Sequence, residues 1–270
     1  MRISLLADIH GNPIALDAVL SDIERRGGVD ELWVLGDVVA LGPAPVEVLE
    51  RFSAVQRAGI VRAVRYVRGN TERYVCTGDR PPPTLDQARA DPALLHVLVD
   101  VAGTFAWTQG AVSQAGWLDW LSGLPLEQRT VLPDGTRLLG VHASPGRDDG
   151  PGFSPDYDRA DSGRRAMEHL LAGCTADLVC VGHTHRPMDA ILAGTHVVNP
   201  GSVSNPAPAT DGPPDLRASY ALLEASSAGY SIEHRRVDYD REAVIAALER
   251  LRHPGAAFII QHLRGQYRST

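Results

Sequence analysis

Six apolar runs rich in β-branched residues each end in loop residues, and helical periodicity fills several of the intervals. The runs are "ISLLADIH" (Ile3 to His10), "ELWVLGD" (Glu31 to Asp37), "VRAVRYVRGN" (Val61 to Asn70), "RLLGVHAS" (Arg137 to Ser144), "ADLVCVGHTH" (Ala176 to His185) and "THVVNPGS" (Thr195 to Ser202). Each reads as a buried strand entering a loop. Apolar residues recur at helical spacing over Pro13 to Arg26, Pro45 to Ala58, Arg159 to Ala172 and Arg241 to Leu251. Alternating strands and helices predict an α/β fold. The pair "ASYALLEA" and "YSIEHRRV" reads as a hairpin, so antiparallel strands join the parallel ones and the sheets are mixed.

Residues 76–130 break this rhythm. A Pro-rich loop, "TGDRPPPTLDQARADP", leads into a helical stretch from Ala93 to Leu121 that holds Trp107, Trp117 and Trp120. The stretch is expected to be a helical insertion beside the core of a single domain spanning 1–270. "GRDDGPGFSPDYDRADSG" (Gly146 to Gly163) and "SNPAPATDGPPDLR" (Ser204 to Arg217) read as loops.

Composition narrows the chemistry. All 26 basic residues are arginine, which excludes a Walker-A lysine, a Schiff-base lysine and a Ser-Lys dyad. A net charge of −7 argues against an extended nucleic-acid surface. No apolar run approaches the ~20 residues of a membrane span, and the N-terminus lacks a signal-peptide pattern. Cys76, Cys174 and Cys180 form no Cys-x-x-Cys, as expected of a cytoplasmic protein without a disulfide framework.

The strand ends carry Asp8 and His10, Asp37, Asn70, His142, and His183 with His185. Open α/β sheets gather ligands beyond the carboxyl ends of their strands, so residues far apart in sequence can converge there. Two Asp, one Asn and four His, with no thiolate, suit Mn, Fe, Zn or Ni better than Ca or Mg. Seven protein ligands are too many for one catalytic ion with an open position. Two ions sharing a bridging carboxylate use them well.

The order Asp-x-His, Gly-Asp, Gly-Asn, His, Gly-His-x-His resembles the calcineurin-like metallophosphoesterase superfamily. "VVNPGSV" followed by "RASYALLE" resembles its small prokaryotic phosphodiesterase branch. The resemblance implies a four-layer α/β/β/α sandwich of two mixed sheets. It implies that Asp8, His10 and His185 hold one ion, that Asn70, His142 and His183 hold the other, and that Asp37 bridges both. It also implies hydrolysis of a small phosphodiester or phosphomonoester by a hydroxide shared between the ions, with Asp37, Asn70 and His142 around it. A protein phosphatase or dinucleoside polyphosphatase is the alternative within this chemistry, and a non-catalytic metal-binding scaffold is the alternative outside it.

The chain departs from the pattern at "RGNTER". Many relatives have His after Gly-Asn, serving to protonate the leaving group or to hold the phosphate, whereas this chain has Thr71 and keeps Glu72. A Thr hydroxyl is far too weak an acid for proton donation near neutral pH, which leaves His96, Glu72 or a metal-bound water as candidate donors. Thr71, Arg147, Arg186, Asn199 and Ser202 are the candidate substrate contacts, with Asn199, Gly201 and Ser202 forming a turn whose N–H groups could close the pocket.

Overall fold

The computed structural model describes residues 1–155, 161–205, 207 and 213–266. Strands β1 (Arg2–Leu6), β2 (Glu31–Val34) and β3 (Ala63–Tyr66) run parallel, and β9 (Ala218–Ser226) and β10 (Gly229–Val237) extend the sheet antiparallel in the order β10-β9-β1-β2-β3. A second sheet has the order β4-β5-β6-β8-β7, made of β4 (Glu127–Val131), β5 (Arg137–Val141), β6 (Leu178–Cys180), β7 (Met188–Leu192) and β8 (Thr195–Asn199). Here β5, β6 and β8 are parallel, while β4 and β7 pair antiparallel at the edges.

Three apolar layers hold these sheets together. Ile3, Leu5, Trp33 and Leu223 of the first sheet pack against Leu138, Leu178 and Val198 of the second. The outer face of the first sheet is covered by α1 (Pro13–Arg25), α2 (Pro45–Arg57), α3 (Asn70–Thr77) and α5 (Leu95–Gln114), through Leu16, Val48, Val75 and Phe105. The outer face of the second is covered by α7 (Asp161–Leu170) through Met167. The result is the expected α/β/β/α sandwich. Helices α8 (Arg241–Arg250) and α9 (Ala256–Leu263) pack with Ile14 and Leu41. Among the described residues no helix is long and apolar enough to cross a membrane.

Several elements differ from the sequence reading. The Pro-rich stretch contains α4 (Leu85–Ala90), started by a capping box in which Thr84 and Gln87 each accept the other's backbone N–H. The helical stretch 93–121 is divided into α5 and α6 (Leu118–Ser122) by a turn at Gly116, whose φ is +77°. The segment read as an insertion ends earlier than residue 130, because β4 opens the second sheet at Glu127. Residues 159–160 of the expected Arg159 to Ala172 helix, 156–160 of the first expected loop, and 206 and 208–212 of the second lie outside the described residues.

Candidate metal centre

The centre lies where β1, β2 and β3 of one sheet and β5 and β6 of the other end side by side. Hydrogen bonding continues past the strands: Asp8 N donates to Gly36 O at 3.1 Å, His10 N to Asp37 O at 2.9 Å, and Gly182 N to His142 O at 2.9 Å. Asp8, His10, Asp37, His183 and His185 all have φ between +48° and +69°. Asp and His enter this left-handed region more readily than most residues, at a cost on the order of 1 kcal/mol each, and such strain concentrates at functional sites. The Gly-Asn pair has a steric reason as well. A Cβ on Gly69 would overlap the Asp37 carboxylate and its backbone nitrogen.

All seven expected ligands come together. Asp8, His10, Asp37 and His185 each offer an atom within 4.8 Å of the others. His10 Nε2 stands 3.2 Å from His185 Nε2, and His185 Nε2 stands 3.3 Å from Asp8 Oδ1. In a second group, Asn70 Oδ1 lies 3.0 Å from His142 Nε2 and 2.9 Å from His183 Nδ1. Asp37 stands between the groups, with Oδ2 3.8 Å from His10 Nε2 and Oδ1 3.3 Å from His142 Nε2.

Backbone carbonyls fix the imidazole tautomers, since a carbonyl can only accept. His142 Nδ1–H donates to Leu35 O at 2.7 Å, His185 Nδ1–H to Asn205 O at 2.5 Å, and His183 Nε2–H to Gly150 O at 2.8 Å. The opposite ring nitrogen of each is left with its lone pair directed into the centre. In the second group the His142, His183 and Asn70 lone pairs therefore face one another without a donor between them. In the first, the buried Asp8 Oδ1 lacks a hydrogen-bond donor. Converging lone pairs and an unpaired buried carboxylate oxygen are the arrangement that a cation relieves, so the residues fit divalent metal.

The electrostatics agree. Burial pushes Asp37 up to about 7, with the Asp8 charge adding to the effect. Burial also acts to raise Asp8, but the surrounding imidazoles, His185 foremost and then His142 and His10, bring it down to about 2. Burial, followed by the charge of His185, draws His10 down to about 3. Two carboxylates in one dry site cannot both ionise comfortably without positive charge nearby.

Three expected substrate contacts have other work. Thr71 is 3% exposed, and its hydroxyl donates to Asp37 Oδ1 at 3.0 Å and to Val39 O at 3.2 Å. Asn199 is fully buried: its Nδ2 donates to Gly182 O at 2.8 Å and Thr184 Oγ1 at 3.0 Å, and its Oδ1 accepts from Gly201 N at 2.9 Å. Ser202, also fully buried, donates to Asp8 O at 2.9 Å and accepts from Asn205 N at 2.8 Å. These residues hold the ligand loops and do not face a substrate, because their polar atoms are already paired. The Gly201 N–H is paired too, so that turn cannot close a pocket with it.

Arg147 is exposed and Arg186 half-buried on the loops after His142 and His185. His96 is exposed at the start of α5. Glu72 is fully buried under backbone N–H donors and is no proton donor to a leaving group. The sequence reading missed Leu35, Gly150 and Asn205, whose carbonyls orient the imidazoles.

The profile of the calcineurin-like phosphoesterase superfamily domain matches residues 1–228. The chain belongs to the calcineurin-like phosphoesterase superfamily. Among solved structures of the same fold, a metallophosphoesterase from Sphaerobacter thermophilus is 26% identical with a TM-score of 0.68, and a protein of Pyrococcus horikoshii is 21% identical with a TM-score of 0.74. Both likenesses cover 99% of each chain. An uncharacterised protein of Methanocaldococcus jannaschii is 26% identical over 88% of both chains. A symmetrical bis(5'-nucleosyl)-tetraphosphatase of Cronobacter sakazakii is 33% identical over 64% of this chain and 51% of its own length. For this superfamily member, hydrolase chemistry is the class that the family implies.

Proposed function

We propose that this chain is a phosphoesterase that uses two divalent cations to hydrolyse a small phosphodiester or phosphomonoester. The observation that carries this reading is Asp37, whose Oδ2 faces His10 and whose Oδ1 faces His142. In this reading Asp8, His10 and His185 hold one cation, Asn70, His142 and His183 hold the other, and Asp37 joins them. Two cations there would supply an activated water and neutralise charge gathering on the phosphoryl oxygens.

The chain's own residues do the rest. Thr71 keeps Asp37 Oδ1 in place through its backbone N–H at 2.9 Å as well as its hydroxyl. The carbonyls of Leu35, Asn205 and Gly150 keep the imidazole lone pairs turned inward. Arg147 and Arg186 are the guanidiniums on the adjoining loops for a substrate phosphate, which Arg binds in a bidentate fashion. Mn, Fe, Zn and Ni all suit the donor set.

The test is to strip the protein of metal and assay a nitrophenyl phosphodiester and monoester before and after adding Mn²⁺. Activity should vanish and return, with two ions bound per chain at saturation. Full activity after verified metal removal would overturn the reading, and tight metal binding without hydrolysis of any ester would favour a scaffold. The likeness to a bis(5'-nucleosyl)-tetraphosphatase favours one second reading, a dinucleoside polyphosphate substrate. Including that compound in the assay separates the two by kcat/KM.

A further inference from the structure

The groups on either side of the His183 imidazole belong to one connected path. Its Nδ1 lies 2.9 Å from Asn70 Oδ1, and its Nε2–H donates to Gly150 O at 2.8 Å. Asn70 begins α3, and one turn later the same helix presents Arg73 and Tyr74. These two grip Asp149, the residue before Gly150: Arg73 Nη2 donates to Asp149 Oδ2 at 2.9 Å and Tyr74 Oη at 2.5 Å. Asp149 Oδ1 in turn accepts the Gly150 N–H at 2.8 Å.

Asp148 secures the same loop. It is 7% exposed and accepts Arg68 Nε at 2.9 Å and Arg73 Nε at 3.1 Å. Beyond it the loop lies directly on the imidazole, since a Cβ at Gly152 would meet His183 Cδ2 at 3.0 Å. An exposed ion pair contributes little, but this cluster is partly buried, multiply bonded and tied to a ligand's second nitrogen.

We propose that Asp149, gripped by Arg73 and Tyr74, is a positioning residue that fixes the His183 tautomer through the Gly150 carbonyl and thereby sets the affinity of one of the two cations. The proposal rests on the two-cation reading for its consequence, but its structural core concerns the metal-free protein. If the Asp149 grip is released, Gly150 O moves away from Nε2, the proton distributes between the two ring nitrogens, and the Nδ1 lone pair is no longer held toward Asn70. Partners of this kind typically change metal affinity by about 10–100-fold.

The experiment has two readouts on the full chain. Long-range ¹H–¹⁵N NMR of histidine-labelled, metal-free protein reports each tautomer, with the His183 signals identified by their loss in His183→Gln. Equilibrium dialysis with Mn²⁺ reports the number and affinity of bound ions. Wild type should show His183 protonated at Nε2 alone. Asp149→Ala should shift His183 toward mixed tautomers and weaken one of two Mn²⁺ equivalents about 10–100-fold, sparing the other. Arg137→Ala, which removes an exposed ion pair with Asp177, should change neither.

An Asp149→Ala protein that keeps the wild-type tautomer would overturn the proposal, as would equal weakening of both equivalents. Should Asp149→Ala fail to fold, Tyr74→Phe and Arg73→Lys loosen the grip more gently, and an unchanged His183 spectrum in both would overturn it equally. If wild type binds fewer than two Mn²⁺, the two-cation reading fails, while the tautomer comparison still judges the role of Asp149.

Discussion

Glu72 holds the backbone of Asp37: its Oε2 accepts the Asp37 N–H at 2.9 Å and the Gly69 N–H at 2.8 Å, while Oε1 accepts from Val38 and Val39 at 2.8 and 3.0 Å. One side chain thus pins the loop after β2 to the start of α3. Burial and the Asp37 charge push its carboxyl up to about 7, against the N–H donors of Val39 and Gly69.

Glu72→Gln turns one acceptor into an NH₂ that faces N–H donors. We expect a loss of about 2–4 kcal/mol in urea unfolding of the metal-free protein, because buried donors are left without partners. Mn²⁺ affinity should fall with it. Unaltered stability together with unaltered Mn²⁺ binding would remove Glu72 from this role.

Asp37→Ala should be the most damaging of the single ligand changes, since its carboxylate faces His10 with one oxygen and His142 with the other. The expected outcome is a loss of roughly 100-fold or more in kcat/KM, with neither cation held tightly. Metal analysis after dialysis checks it: two tightly held ions on the Asp37→Ala chain would contradict the joining role.

The departure at Thr71 affects the leaving group. Thr71 and Glu72 are both committed to the Asp37 loop, so rate should depend steeply on leaving-group acidity. General acid catalysis typically contributes ~10²–10⁴-fold, and its absence should appear as a large gap between nitrophenyl and alkyl esters. The measurement is log kcat/KM against leaving-group pKa where chemistry limits the rate. A shallow line would point to a donor elsewhere in the chain.

Glu31 gives a pH dependence away from the centre. Its side chain is 3% exposed and accepts Arg65 Nε and Arg62 Nη2, both at 2.7 Å, and Trp33 Nε1 at 3.0 Å. Burial acts to raise its pKa, but these donors bring it down to about 2 from an ordinary 4.5. A carboxyl depressed by folding contributes stability that is present above the unfolded value and is lost as pH falls from about 4.5 toward 2. With its Arg partners partly in solvent, that contribution is about 2 kcal/mol. Glu31→Gln should therefore be less stable than wild type at pH 7 by about that much, with the gap closing near pH 2. Urea midpoints at both pH values decide it, and a pH-independent gap would count against this account.

The convergence of the seven expected ligands was legible because residue type and position coincided. Asp8, His10, Asp37, Asn70, His142, His183 and His185 each follow a strand, and Asp and His also tolerate the left-handed backbone that five of them adopt. Gly69 was readable for a steric reason. Thr71, Asn199 and Ser202 were misread because sequence shows a polar side chain near a motif but not whether its hydrogen bonds are already made. Gly150 O, Leu35 O and Asn205 O were invisible, since every residue has a carbonyl and only the fold aims it. The α4 capping box was present in the letters as Thr84 and Gln87, masked by the prolines before it. The points where strands stop were not legible: in Val61 to Asn70, read as a strand entering a loop, β3 covers Ala63–Tyr66 and Asn70 already opens α3.

The separation of His10 and His185 by 175 positions has a consequence for assembly. Four of the seven expected donors leave the ribosome early and three late, and the pairing of two sheets with β9 beside β1 brings them into register only after most of the polypeptide is made. An early fragment carries Asp8, His10, Asp37 and Asn70 without any of the later imidazoles, so the expected donor set is incomplete in it. On the two-cation reading, capture of cations would come late in biogenesis. A cation bound across this span would act as a reversible staple on a very long loop, adding to the configurational entropy that such a loop loses on closure.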